Sequence, residues 1–278
     1  MGLRIMTNVT SLNAQKQMSM TRMNLDKALG RLASGSRINQ AGDDAAGLAI
    51  SENLRSHIRA LRQAKRNAQD GVSVVQISDG GLNEISNILI RLKELSIQAA
   101  SDTVGDPERQ FVDREFQSLK QEIDRIANIT SFNGVPLLNG KSGVFEIQIG
   151  TNNNPILDRV IYNGSRSDAS LNALKISAES VGTKQGAQFS LSAIDDALGT
   201  INSIRADLGA IQNRLQSGIT NLTITDENYS AANSRIRDAD MAEEVSEMTK
   251  QNILMQAGIS VLSQANNISS HALKLLNT

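Results

Sequence analysis

His57 and His271 are the side chains best suited to acid–base or metal chemistry. Neither has a second ligand three or four places along the chain, and the two fall in opposite halves of the sequence. That isolation predicts solvated helix-surface positions. Asp43 and Asp44 form a carboxylate pair with no further ligand at metal spacing. They stand directly before an apolar-periodic run, which is where N-cap carboxylates belong. Gly140-Lys141-Ser142 ends like a phosphate-binding loop, but the required glycine five places earlier is Val135, with Gly134 one residue out of register. A β region rather than a helix follows. There is no Gly-x-Ser-x-Gly elbow and no cysteine, which removes thiol nucleophiles, thiolate metal sites and disulfides. Asn-x-Ser/Thr sequons such as Asn163-Gly164-Ser165 arise often by chance. The residue types therefore predict no enzyme, no cofactor and no metal site.

What positions the remaining side chains is helix. The chain has 278 residues, 40% of them hydrophobic but only 3% aromatic, so its core must be built from Leu, Ile, Val, Ala and Met. The three prolines are Pro107, Pro136 and Pro155, leaving two long tracts free of the strongest helix breaker. A net charge of −1 supplies no basic excess for nucleic-acid binding. No apolar run is long enough to span a bilayer, and Met1 to Ser11 lacks the apolar region of a secretory signal. Met1-Gly2 is not followed by Ser or Thr at position 6, so the myristoylation pattern fails. All methionines lie at or before Met23 or at or after Met241, whereas all aromatics lie between Phe111 and Tyr229. That segregation predicts one structural layer made by the two ends and another made by the middle.

In order, Ile5, Val9, Leu12, Met18, Leu25, Leu29 and Leu32 predict a first helix whose stripe slips phase once, ending at Ser34-Gly35. A joint at 35–46 follows. From Ala45 to about Ala100, Leu54, Ile58, Leu61, Ala64, Ala68, Val72, Val75, Leu82, Ile85, Leu89 and Leu92 hold a three-and-four rhythm. At 1.5 Å per residue that helix would be roughly 80 Å long, with a local weakness or kink expected at Asp79-Gly80-Gly81. Asp106-Pro107-Glu108 predicts a restart with Asp106 as N-cap, continued by Phe111, Phe116 or Leu119, Ile123 and Ile126. Phe145, Ile147 and Ile149 alternate as in a half-buried strand, and Leu157 to Tyr162 forms another. A second long helix runs from about Ala187 to Ile236 and pairs with the first. A candidate joint at Ser234 to Asp238 precedes a last helix, capped by Asp240, that carries the apolar stripe Leu254, Ala257, Val261, Ala265, Ile268, Ala272 and Leu275. The expected fold is mainly α: an elongated antiparallel helical bundle with a small β-hairpin region and the termini paired as an inner coiled coil. Its segments are 1–34 and 234–278 for the inner core with its joint, 35–46 for the other joint, 47–130 and 187–233 for the outer bundle, and 131–186 for the β region.

Several of these stretches resemble bacterial flagellins over essentially the whole chain. They are Leu12-Asn13-Ala14-Gln15, Leu32-Ala33-Ser34-Gly35-Ser36-Arg37-Ile38-Asn39 and Ala41-Gly42-Asp43-Asp44-Ala45-Ala46-Gly47-Leu48-Ala49-Ile50 toward the N-terminus. Toward the C-terminus they are Ala206-Asp207-Leu208-Gly209-Ala210-Ile211-Gln212-Asn213-Arg214-Leu215, Ser234-Arg235-Ile236-Arg237-Asp238-Ala239-Asp240-Met241-Ala242 and Gln264-Ala265-Asn266. The resemblance implies an extracellular subunit of a helical homopolymer, the flagellar filament of swimming bacteria. It would be a minimal member in which the short β region stands where others carry a large variable domain. It further implies export by the flagellar type III apparatus with an export chaperone and no cleaved signal peptide, and hook-associated and cap proteins as partners.

On that resemblance, Ile5, Val9, Leu12, Leu25, Leu29, Leu32, Leu254, Ala257, Val261, Ala265, Ile268 and Leu275 are the expected packing residues of the filament inner core. Arg91-Leu92-Lys93-Glu94-Leu95-Ser96-Ile97-Gln98 is similar to the segment that the host flagellin-sensing Toll-like receptor recognises in some members. Arg91, Leu95 and Glu115 become candidate receptor and inter-subunit contacts. The terminal helices are expected to order on polymerisation. The alternatives are a hook–filament junction protein of the same family or a coiled-coil adaptor that does not polymerise.

Overall fold

A computed structural model describes the backbone of residues 7–276 and the side chains of residues 7–267. The elements are α1 (Val9–Ser34), α2 (Ala45–Ala100), α3 (Asp106–Ile129), β1 (Ser131–Phe132), β2 (Val135–Pro136), β3 (Val144–Gln148), β4 (Arg159–Asn163), α4 (Lys184–Arg237) and α5 (Met241–Leu276). They belong to two compact units, one drawn from Met1–His57 and Asn228–Thr278, the other from Ile58–Glu227.

In the Ile58–Glu227 unit α2 and α4 run antiparallel. Ion pairs Arg62–Asp226 at 3.1 Å, Arg205–Asp79 at 2.8 Å and Lys93–Asp195 mark the register along them. The three-and-four rhythm of both helices meets in one core with α3: Leu82, Ile85, Leu89 and Leu92 lie with Phe116, Ile123, Ile194 and Ile201, all fully buried. Each such side chain contributes about 1.5–3 kcal/mol by leaving water, so this unit holds itself together.

The β region is two short antiparallel hairpins. β1 and β2 are joined by Asn133 and Gly134, both with positive φ (49° and 79°), the two-residue turn whose twist suits a hairpin. β3 pairs with β4 from Val144↔Asn163 to Gln148↔Arg159. Phe145, Ile147 and Ile149 pack against the helical core, as their alternation predicted. The Tyr162 hydroxyl donates to the Leu137 carbonyl at 3.0 Å, and Leu137 and Leu138 close the core beside it.

Two local expectations are corrected. Helix α2 runs unbroken through Asp79-Gly80-Gly81. The two glycines have different reasons for being there. Nothing lies within 4 Å of a Cβ added at Gly80, whereas one at Gly81 would meet Leu138 Cδ1 and Thr130 Oγ1 at 2.8 Å. Gly81 thus lets the strand region approach the helix. Helix α3 is capped by Gly105 rather than Asp106, because the Asp106 carboxylate is taken by Arg109 at 2.7 Å one turn ahead. The nearly buried Arg109 guanidinium also donates to the Ala99 and Ser101 carbonyls, closing the α2–α3 turn.

Gly80→Ala should therefore stabilise the protein by about 0.5–1 kcal/mol, from helix propensity alone. Gly81→Val should destabilise it by about 1–3 kcal/mol through overpacking. Urea denaturation followed by circular dichroism distinguishes the two.

Candidate functional site

In the other unit α1 and α5 pair antiparallel. Arg31 Nη1 meets Glu244 Oε1 at 3.1 Å at one end, and Asn8 Nδ2 donates to the Ala265 carbonyl at 2.9 Å at the other. On α1 Ser11, Ala14, Met18, Thr21, Leu25, Ala28 and Leu32 are withdrawn from water, with Arg31 at the edge. On α5 Glu244, Met248, Gln251, Met255, Gly258, Leu262 and Ala265 are, with Glu247 at the edge. Both sets step by three and four without a break, the seven-residue repeat of a coiled-coil seam. The apolar stripe of α1 does change phase: Val9 and Leu12 lie on the exposed face, whereas Met18, Leu25 and Leu32 lie in the seam.

The composition of this seam is unusual. Its fully enclosed members are Ser11, Ala28, Glu244, Gln251 and Ala265: small, polar or charged. The buried Glu244 carboxylate is paired with the partly exposed Arg31 guanidinium at 3.1 Å, so its charge is not left uncompensated between the helices. Met18, Met248 and Met255 are flexible fillers. No large aliphatic side chain among the described residues is fully enclosed between the two helices.

Apart from the half-buried Leu25, Leu32 and Leu262, the large aliphatic side chains face outward. Val9, Leu12, Met20, Met23 and Leu29 on α1 are exposed, as are Met241, Val245, Ile253, Leu254, Ile259 and Val261 on α5. Ala14 and Met18 line an open groove of about 520 Å³ with Leu254, Ala257 and Val261.

Of the twelve expected inner-core residues, Leu25, Leu32 and Ala265 lie in the seam within the chain. Val9, Leu12, Leu29, Leu254, Ala257 and Val261 are left in water. Ile5 lies outside the described residues, as do the side chains of Ile268 and Leu275. Ser11, Ala14, Thr21, Ala28, Glu244, Gln251 and Gly258 lie outside the apolar stripes of the two helices. Their seven-residue spacing was the available signal.

The two joints meet in this same unit. Gly35, at φ 68°, ends α1 in the left-handed conformation, and its carbonyl accepts from Ala239 N at 3.0 Å. Arg37 N donates to the Arg237 carbonyl at 2.6 Å, so the chain segments pair as a one-residue bridge, Ser36↔Asp238. Ile38 is buried, its side chain close to Gly47. The Asp43 carboxylate accepts from Asn39 N and Gln40 N, and Asp44 caps α2 through Gly47 N at 2.8 Å. The backbone N–H of Gln40, then that of Asn39, holds the Asp43 carboxyl below its ordinary value. The hydrogen bond from Arg237 at 2.6 Å does the same for Glu52. His57 stands exposed, its ring edge-on to Tyr229; the His271 side chain lies outside the described residues. No cluster of metal-ligating side chains occurs among the described residues.

Arg91 and Glu115 are brought together in the Ile58–Glu227 unit. The exposed Arg91 guanidinium donates to Glu115 at 2.9 and 3.0 Å and to Glu94 at 2.9 Å, and both acids, Glu94 foremost, raise its pKa further. Leu95 does not join them. It is 1% exposed in the core, so its assignment as a contact residue is corrected: the α2 stripe turns it inward. Leu95→Ala should cost about 2–5 kcal/mol of unfolding free energy, and Arg91→Ala within about 1 kcal/mol. Urea titration of the two variants measures both.

Comparison with known proteins agrees with this architecture. The model of the bacterial flagellin N-terminal helical region matches residues 5–143. That of the bacterial flagellin C-terminal helical region matches residues 191–276. The stretch between them holds β3, β4 and the start of α4. A flagellin of Halalkalibacterium halodurans is 41% identical over 269 residues, covering 97% of this chain and 98% of that protein. A flagellar filament 33 kDa core protein of Treponema phagedenis is 38% identical over 284 residues, at 97% and 98% coverage. The crystal structure of Bacillus cereus flagellin superposes with a TM-score of 0.51 at 31% identity, over 60% of this chain and 94% of that one.

Proposed function

The chain belongs to the bacterial flagellin family, and from that premise we propose how this structural subunit of the flagellar filament, not an enzyme, is built into its polymer. It is a minimal member, matching relatives of its own length from end to end. One observation carries the reading: the α1–α5 pair buries only small and polar side chains fully and leaves most of its large aliphatic ones in water, Leu25, Leu32 and Leu262 being half-buried. Helices with that distribution gain more from neighbours than from each other. Copies of the same pair, packed side by side, would cover Val9, Leu12, Leu29, Leu254, Ala257 and Val261 and form the inner core of the filament.

Assembly then proceeds by heterologous contacts that do not close into a ring. In the free subunit α1 and α5 are marginal, and they order as a neighbour supplies the missing apolar surface. Incorporation is hard to reverse for the same reason, since leaving would return that surface to water. The methionines of the seam tolerate small changes of packing between subunits.

The subunit is extracellular once in the filament, and no described helix is long and apolar enough to cross a membrane. We further propose export through the flagellar type III apparatus with an export chaperone and without a cleaved signal peptide. In the mature organelle, hook-associated and cap proteins would contact the ends of the polymer. The exposed Arg91–Glu115 pair is the surface proposed to meet a neighbouring subunit or, in a host, the flagellin-sensing Toll-like receptor.

Two measurements test the assembly reading. Val261, 58% exposed, should be silent in the monomer and essential in the polymer. Val261→Asp should shift the unfolding free energy of the Ile58–Glu227 unit by no more than about 0.5 kcal/mol. The same variant should fail to form filaments by electron microscopy under salt or seed conditions where the unaltered chain forms them. Filaments from the variant would falsify the assignment.

The second measurement is acid titration. Asp43 and Glu52 have lowered pKa values, so the stability they contribute is complete above their ordinary values and is lost as pH falls through the lowered ones. The difference in acid resistance between filaments of the unaltered chain and of D43N/E52Q, read by light scattering, should therefore be complete above pH 4.5 and shrink as pH falls below 3.8.

A further inference from the structure

The chain holds three Asn-Gly pairs, Asn133-Gly134, Asn139-Gly140 and Asn163-Gly164, all in the β region. In such a pair the backbone can react with its own side chain. Glycine lacks a Cβ, so its nitrogen reaches the Asn Cγ unhindered. Attack there makes an N–Cγ bond, breaks the Cγ–Nδ2 bond and expels ammonia, leaving a cyclic succinimide. Water then opens the ring. Breaking the new N–Cγ bond gives aspartate, whereas breaking the backbone C–N bond gives isoaspartate, whose main chain is one methylene longer. The reaction needs only water, a glycine N–H able to lose its proton and an Asn side chain free to swing.

The structure restrains two of the three pairs. At Asn163 the backbone N of Gly164 donates to the Gly143 carbonyl at 3.3 Å, and Asn163 Oδ1 accepts from Ser165 N at 3.1 Å. Gly164 is buried, and a Cβ added there would meet Ser142 Cβ at 2.9 Å. At Asn139, Oδ1 accepts from Lys141 N at 3.1 Å and Nδ2 donates to Asn128 Oδ1 at 3.5 Å. The Asp168 carboxylate lies against Gly140, its Cγ 2.8 Å from where a Cβ would stand. A negative charge in that place opposes ionisation of the neighbouring N–H.

Asn133-Gly134 is the open pair. Both residues are exposed, and nothing lies within 4 Å of a Cβ added at Gly134. Among the described residues neither the Asn133 side chain nor the Gly134 N–H has a hydrogen-bond partner. The hairpin that holds Asn133 at φ 49° has two residue pairs, Ser131↔Pro136 and Phe132↔Val135, and Pro136 has no N–H to give. So short a ladder opens locally at little cost, which lets the Asn133 Cγ rotate onto the Gly134 nitrogen. We propose that Asn133 is a deamidation site, converted to aspartate and isoaspartate through attack by Gly134, while Asn139 and Asn163 are spared. The reaction adds one negative charge to each chain, taking the formal net charge from −1 to −2. Aspartate keeps the turn, because Asp tolerates the left-handed conformation as Asn does. Isoaspartate does not, since its extra methylene falls between Phe132 and Val135 in a two-residue turn. The inference is independent of the assembly reading above.

The full chain, held at mildly alkaline pH either native or unfolded in urea, can be digested with trypsin and sequenced by fragment-ion mass spectrometry. Peptide 126–141 carries Asn133 and Asn139, and peptide 160–166 carries Asn163. In the native chain Asn133 should lose its amide about tenfold or more faster than either of the others, whereas in urea the three should convert within about threefold. Isoelectric focusing of the aged native chain should show a new acidic band at the position of N133D, and N133D should gain none in the same time. Isoaspartyl methyltransferase should pass a labelled methyl group to the aged chain at peptide 126–141. A native ratio no larger than the urea ratio overturns the assignment. So does an Asn133 amide that survives in the native chain while the unfolded chain converts.

Discussion

What lies between α1 and α5 decides how the rest of the molecule works. The seam buries only Ser11, Ala28, Glu244, Gln251 and Ala265, half-buries Leu25, Leu32 and Leu262 with three methionines, and leaves Val9, Leu12, Leu254 and Val261 outside it. Two helices in antiparallel register can bring their backbones close with such small residues, and the Arg31–Glu244 pair specifies which register. The stabilising burial is left for a neighbour. The Ile58–Glu227 unit shows the contrast: its helices face each other with Leu82, Leu89, Phe116, Ile194 and Ile201, so it is complete in one chain.

The division matches the task of a filament subunit. A self-sufficient unit supplies a folded body before assembly. On the proposed reading, the α1–α5 pair supplies the adhesive surface, which neighbours would cover in the polymer. The joint of Gly35, Arg37, Arg237 and Ala239 ties the incoming and outgoing segments by backbone hydrogen bonds, so that α1 and α5 start from one place in the right register. Ile38 of the same joint is buried against Gly47 at the start of α2.

Much of this was legible in the residues. The long stripes of α2 and α4, the restart at Pro107, the alternation of Phe145, Ile147 and Ile149 and the cap at Asp44 each follow from one local rule and stand as expected. What escaped depends on contacts between distant segments. Gly81 looked like a weak point until Leu138 and Thr130 were found against it. Leu95 sits in a segment similar to a receptor-contacting one, yet the helical phase turns its side chain into the core. The seam was missed for a different reason: a stripe of large apolar residues was assumed to face the nearest partner. In α5 that stripe and the intrachain seam are separate faces, and hydrophobicity along one helix cannot say which neighbour each face meets.

The central claim is that α1 and α5 acquire their stability from neighbouring subunits. Backbone amide exchange measured on monomer and on filament, in the same buffer, addresses it directly. Amides before about Ser34 and after about Ser234 should exchange freely in the monomer and become strongly protected in the filament. Those of α2 and α4 within Ile58–Glu227 should be protected in both. Strong protection of the terminal helices in the free monomer would contradict the account, because the small and polar seam would then suffice alone.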